Sequence, residues 1–204
     1  MNESVARWSI VKLGGSLLAM DGLPTRLRQW LASRSAGWHV IVIGGGALAD
    51  VVRDLHRRHH LGSDAAHRLA IEAMAFNTRM LSAMLPEFPL TSRPPECRIR
   101  VPKPQALLLD VGKYLDEIEP TLPFDPLPAS WDVTSDSIAA RLATAWGAVE
   151  IMLLKSSLPP QHATLKQLSD MGYVDRYFPT AAARLPVIRC VNLRDENFPG
   201  WVRE

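Results

Sequence analysis

The sequence predicts an α/β fold built on a mostly parallel sheet. Three observations predict it. Short apolar runs alternate with amphipathic helical stretches; two of those runs, WSIVKL and HVIVI, end in glycine-rich turns; a third, VEIMLL, ends in Lys155-Ser156. Strands that alternate with helices join by right-handed crossovers into a parallel sheet. Such sheets bind ligands beyond the carboxyl ends of their strands, where all three of these junctions fall.

The elements follow in order. Trp8–Leu13 reads as a buried strand closed by Gly14-Gly15. Leu23–Arg34 places Leu23, Leu27, Trp30 and Leu31 at helical spacing with arginines on the other face, an amphipathic helix. His39–Ile43 is a second buried strand running into Gly44-Gly45-Gly46. A helix from Ala47 to about His60 is expected to turn Leu48, Val51, Val52 and Leu55 inward. Ser63 or Asp64 is suited to cap the next helix, about Ala65 to Leu85. Prolines then interrupt regular structure, with a short strand expected at Arg98–Val101 and a stronger one at Ala106–Val111. Thr134 or Ser135 starts a helix carrying Ile138, Ala139, Leu142, Ala143 and Trp146, ended by Gly147. Val149–Leu154 is the next strand; helices are expected near Thr164–Met171 and Asp175–Arg184, and a last strand at Val187–Val191.

Bulk properties exclude several classes. The chain has 204 residues, 47% hydrophobic and 22% charged, which suits a single domain with a real core. A formal net charge of +2 is too small to argue for nucleic-acid or membrane binding, and neither is expected. No apolar window approaches the roughly 20 residues that span a bilayer, and MNESVARWSIVKLGG lacks the pattern of a signal peptide. Two cysteines, Cys97 and Cys190, fit a reducing compartment better than a disulfide scaffold. A cytoplasmic protein is the expectation.

Chemistry concentrates at the strand ends. In Lys12-Leu13-Gly14-Gly15-Ser16 two glycines let the backbone approach an anion, Lys12 adds a compact charge and Ser16 a hydroxyl. The pattern is not a Walker A loop, because the lysine precedes the glycines. The alternative is a plain turn with a surface lysine. Gly44, Gly45 and Gly46 open a helix whose free N–H groups favour anions, or else permit tight strand–helix packing. Asp132 and Asp136, four apart in WDVTSD, suit one cavity, where they would hold ammonium groups or help hold magnesium; helix capping is the alternative. Lys155 is either a snorkelling edge residue or a charge aimed into the crevice beside Lys12. His56, His59 and His60 share helical spacing, but Arg57 and Arg58 would repel a cation, so a solvated helix end is expected rather than a metal site. His67 lies on a helix of small and apolar residues, as a buried histidine or a substrate contact.

Taken in order, VKLGGSL, VIVIGGGALADVVR, WDVTSDSIAARLA and VEIMLLKS resemble the amino acid kinase superfamily, which includes acetylglutamate, aspartate, uridylate and isopentenyl phosphate kinases. DAAHRLAIEAM and GYVDRYFP look like its small archaeal-type branch, which includes a methanofuran-biosynthesis kinase acting on an aminomethylfuran-methyl phosphate. The resemblance implies a three-layer αβα sandwich in one domain, with an acceptor half over residues 1–130 and a nucleotide half over 131–204. It also implies that Lys12 contacts the transferred phosphoryl group and that Asp136 orients the lysines, with Lys155 the candidate for the place of the usual second catalytic lysine. Gly14, Gly15, Ser16 and Ser156 would hold the phosphates of ATP. Gly44, Gly45, Gly46, Arg53, His67, Asp132 and Thr134 would hold the acceptor. ATP and Mg²⁺ are the implied cofactors, a small anionic molecule the acceptor, and a homodimer or larger homo-oligomer the implied assembly. Where many members carry an Asp-Gly turn and a hairpin after the last of these strands, this chain reads KSSLPPQHATLKQL, which implies an abbreviated adenine pocket. A non-catalytic phosphate-binding protein of the same fold is the alternative function.

Overall fold

A computed structural model of the protein describes residues 8–93 and 103–203. Cys97 and the strand expected at Arg98–Val101 lie outside the described residues. Among the described residues seven strands form one sheet: β1 (Trp8–Leu13), β2 (Gly37–Ile43), β3 (Leu90–Thr91), β4 (Pro104–Leu109), β5 (Ile151–Lys155), β6 (Ile188–Asn192) and β7 (Gly200–Arg203). Their order is β3-β4-β2-β1-β5-β6-β7, parallel throughout except for the β6–β7 pair. The sheet therefore has β1 at its centre and the carboxyl ends of β1, β2 and β5 side by side.

Two apolar clusters cover the two faces of the sheet. Alternation along β1 and β2 divides them: Ile10, Val40 and Val42 join one, while Val11, Leu13, Ile41 and Ile43 join the other. The second cluster takes its helical half from α1 (Leu23–Ala32), through Leu27, Trp30 and Leu31. The first takes it from α5 (Ser135–Ala145), α6 (Leu165–Asp170) and α7 (Phe178–Ala181). The long helix α3 (Ser63–Met84) reaches both, with Met74 in one and Leu81 in the other. The expected layered α/β architecture is observed.

Several local expectations change. The helix α2 (Gly46–His59) forms, but buries none of its residues. Leu48, Val51 and Leu55 are 39%, 56% and 43% exposed, so the apolar stripe expected to face inward faces out. The reason is positional: α2 opens beyond the end of β2 and packs on α3 and the turn after β1 rather than on the sheet. Neither Ser63 nor Asp64 caps α3; Gly62 stands at the cap position and no side chain bonds there. The proline-rich middle holds a short helix α4 (Val111–Lys113) continued as a wide π turn over Tyr114–Ile118. The final helix is shorter than expected, and β7, not expected at all, pairs antiparallel to β6. Among the described residues no helix is long and apolar enough to cross a membrane.

Candidate functional site

The centre of the site follows from strand parity. On β1, Ile10 and Lys12 point to the same face; on β5, Ile151, Leu153 and Lys155 do. Because Lys12 is paired in register with Leu153, the two lysines emerge on one face, one pleat apart. That face is covered by α5, whose buried Ile138, Ala139, Leu142 and Ala143 dock it on the sheet. Asp136, in the first turn of α5, is thereby set between the lysines. Its Oδ1 lies 2.9 Å from Lys12 Nζ and 3.0 Å from Lys155 Nζ. Lys155 Nζ also donates to Asp136 Oδ2 at 3.1 Å and to the Tyr173 carbonyl at 2.7 Å. The Tyr173 ring lies against the same ammonium, 5.1 Å from its centroid.

Burial and charge oppose each other here. Burial pushes the Lys12 pKa down to about 8, against the attraction of Asp136 and with the repulsion of Lys155. Burial alone would raise Asp136, but the two lysines outweigh it and hold the carboxyl at about 2. Two ammonium groups around one carboxylate leave one net positive charge at the sheet's carboxyl edge.

The glycine turns sit above this centre and touch each other. A Cβ on Gly15 would lie 2.4 Å from Gly46 N, and one on Gly44 would lie 2.8 Å from Gly15 N. Gly46 also holds φ +53°, in the left-handed region. Close mutual packing of the two turns thus requires these glycines, whatever else they hold. The structure adds a residue that the sequence did not single out. Asn77, buried on α3, donates from Nδ2 to the carbonyls of Gly44 at 2.9 Å and Gly45 at 2.8 Å, and so fixes the second turn. An asparagine in the interior of a long helical stretch, where asparagine is a poor helix former, was the available signal.

Beside the second turn lies a cavity of about 190 Å³. Gly15, Gly44, Gly45 and Gly46 line one side of it, and Arg53, His67, Thr134 and Ser135 also reach it. Ile71, Met74, Val133 and Ile138 make its apolar wall. Arg53 is ion-paired with Asp50 and stacks on the Trp131 ring at 4.7 Å. His67 is half-buried, and burial pushes its pKa down, which favours the neutral imidazole.

The other expected residues fall as follows. Asp132 and Asp136 do not meet in one cavity: Asp132 is exposed and turned toward Arg176, 3.7 Å away, while Asp136 is buried between the two lysines. Thr134 lines the cavity, yet its hydroxyl and its N–H both donate to Asp175. Ser16 is exposed and Ser156 half-buried at the ends of β1 and β5. His59 and His60 are exposed, while His56 packs against Trp131 with ring centroids 6.1 Å apart, so the three do not converge. Cys190 is a buried free thiol on β6.

Comparison with known proteins bears on this arrangement. The family model described as "Amino acid kinase family" matches residues 7–157. The fold is similar to that of the UMP kinase of Bacillus anthracis, with a TM-score of 0.58 at 14% identity, over 94% of this chain and 89% of that one. It is similar to the uridylate kinase of Archaeoglobus fulgidus, with a TM-score of 0.55 at 17% identity, over 89% and 88%. The aspartate kinase of Clostridium acetobutylicum gives 0.53 at 11% identity, over 95% of this chain and 62% of that one. No curated protein sequence matches the chain.

Proposed function

The chain belongs to the amino acid kinase family, and from that membership we propose that it transfers the terminal phosphoryl group of ATP to a small anionic acceptor. The observation that carries this reading is the Lys12–Asp136–Lys155 centre. Phosphoryl transfer asks the protein mainly for positioning and for charge where the transition state spreads its own. Two buried ammonium groups held by one carboxylate at the carboxyl edge of a parallel sheet supply both.

In this reading Lys12 meets the transferred group from the centre of the sheet, Lys155 the opposite side of the phosphates, and Asp136 keeps both lysines in place. Gly14, Gly15, Ser16 and Ser156 border the nucleotide phosphates. Gly44–Gly46, Arg53, His67 and Thr134 border the acceptor, which enters the cavity beside the second turn. The donor set fits a magnesium ion carried by the nucleotide, since Asp136, the carboxylate at the centre, is engaged by both lysines. That ion would supply charge neutralisation across the phosphates. The division into an acceptor half and a shortened nucleotide half, a cytoplasmic location, and self-association into a homodimer or larger assembly belong to the same proposal. A phosphorylated furan as the acceptor rests on the sequence resemblance alone.

The test is ADP release with small phosphorylated and carboxylated acceptors, in wild type and Lys12→Ala. Full activity in Lys12→Ala overturns the mechanism. A second reading, a phosphate-binding protein without transfer, is favoured by one observation: the Lys155 ammonium is already engaged by Asp136 and by the Tyr173 carbonyl. ATP binding without turnover on any acceptor would select it.

A further inference from the structure

We infer that Asp175 is a positioning residue of the Lys12–Asp136–Lys155 centre, set there by a clamp that the chain forms over residues 173–178. The inference concerns the site of the proposed transfer reaction and names a residue outside the stretch that matches the family model.

The first turn of α5 carries Asp136 and must be held closed for the centre to form. A helix N-terminus carries N–H groups without intrahelical partners, and a helix that must hold a catalytic carboxylate cannot fray there. No side chain of α5 or its cap residue closes that turn. A carboxylate distant in sequence does. Asp175 Oδ2 accepts from Thr134 N at 2.9 Å, Thr134 Oγ1 at 2.8 Å and Ser137 N at 3.0 Å. Asp175 Oδ1 accepts from Ser137 Oγ and from Phe178 N, the latter at 2.9 Å. The bonds to α5 thus bracket Asp136 on both sides, at residues 134 and 137.

The same short stretch also grips the other end of the centre. The Tyr173 carbonyl accepts from Lys155 Nζ at 2.7 Å, and the Tyr173 hydroxyl donates to the Ser157 carbonyl at 3.0 Å. On the far side, Tyr177 N donates to the Asp132 carbonyl at 3.0 Å. Val174 and Phe178, 3% and 0% exposed, pin the stretch into the core on either side of Asp175. One anchored segment therefore sets Lys155 through Tyr173 and Asp136 through Asp175. The separation and angle of the two groups depend on it.

A cap that only stabilises α5 and a residue that positions the centre make different forecasts. The side-chain carbons of lysine, followed by ¹³C NMR in lysine-labelled protein, report the Lys12 titration, with Lys12→Met assigning the signal. The groups facing Lys12 are Asp136 on α5 and Lys155 on β5. In wild type the Lys12 midpoint is expected at about 8, where burial pushes it. In Asp175→Asn, which keeps the size and one acceptor oxygen, the midpoint moves by at least about half a pH unit, upward where water reaches the loosened centre and downward where Asp136 draws away from Lys12. Asp175→Ala moves it further. In transfer assays kcat falls about tenfold while the acceptor KM holds, and Asp175→Asn recovers part of the loss. An unchanged Lys12 midpoint in Asp175→Asn, with only a lower melting temperature, overturns the inference and leaves Asp175 a cap. Should Asp175→Ala fail to fold, Asp175→Asn and Ser137→Ala decide by the same signal. Absence of transfer in wild type counts against the kinase reading alone, since the titration does not depend on turnover.

Discussion

Lys12 Nζ and Asp136 Oδ1 lie 2.9 Å apart with both side chains only 6% exposed, one from the central strand and the other from the helix that covers it. This pair gives the carboxyl edge of the sheet its chemistry. It also makes that edge sensitive to pH and to the loss of either partner.

Anion affinity is expected to fall as pH rises through about 8, where Lys12 loses its proton and the centre its net positive charge. If the protonated form alone binds, the Kd for inorganic phosphate or ATP rises about tenfold for each pH unit beyond that point. Calorimetric titrations between pH 6.5 and 9.5 measure it, and the slope disappears in Lys12→Met. The stability effect has the opposite sense. Since Lys12 is depressed from 10.5 to about 8, the unfolded chain holds more protons between those values, and this group makes stability rise with pH there.

Removing Asp136 leaves the buried Lys12 ammonium and the partly buried Lys155 ammonium facing each other. Asp136→Asn is expected to cost roughly 3–5 kcal/mol in urea unfolding at pH 7. Lys12→Met costs far less or stabilises, because it removes a buried charge while Asp136 keeps Lys155. On the acid side, Asp136 is lowered from 3.8 to about 2, so its contribution is present above 3.8 and lost as pH falls toward 2.

His39 gives a second acid-sensitive point, far from the site. Burial, reinforced by Arg34, pushes its pKa from 6.5 down to about 4 beneath Trp30. The unfolded chain binds the extra proton between those values, so stability declines as pH falls from 6.5 to 4, by roughly 3 kcal/mol in all. His39→Gln should flatten that part of the stability–pH curve while leaving the Lys12 titration unchanged.

The turns themselves can be tested by adding one methyl group. Gly15→Ala directs a Cβ at Gly46 N, a backbone atom 2.4 Å away that cannot swing aside. The variant should lose more than about 2 kcal/mol and weaken phosphate binding. Gly62→Ala, whose Cβ meets nothing within 4 Å, is its control. Equal stability of the two variants would contradict the mutual packing of the turns.

How far the sequence showed this arrangement depended on the range of the signal. Apolar runs ending in glycine or lysine placed β1, β2 and β5, while the register that sets Lys12 and Lys155 on one face is a property of the assembled sheet. The runs are local patterns. Asp175 and Asn77 act across 38 and 33 residues on bonds with no periodicity of their own, so neither stood out. The stripe Leu48, Val51, Leu55 was legible as a stripe, but which way it faced depended on α3, not on α2 itself. The strand β7 was hidden because Gly200–Arg203 is short and alternates exposure at a sheet edge. Asp132 was misplaced by spacing: four residues bring side chains together only within a helix, and α5 begins after it.

The most direct test of the account is calorimetric titration of ATP with magnesium into wild type, Lys12→Met and Lys155→Met. Saturable binding is expected in wild type and at least tenfold weaker binding when either lysine is removed, with each variant still folded. No binding to wild type at millimolar ATP, or equal affinity in all three proteins, would contradict a phosphoryl-transfer centre built on Lys12, Asp136 and Lys155.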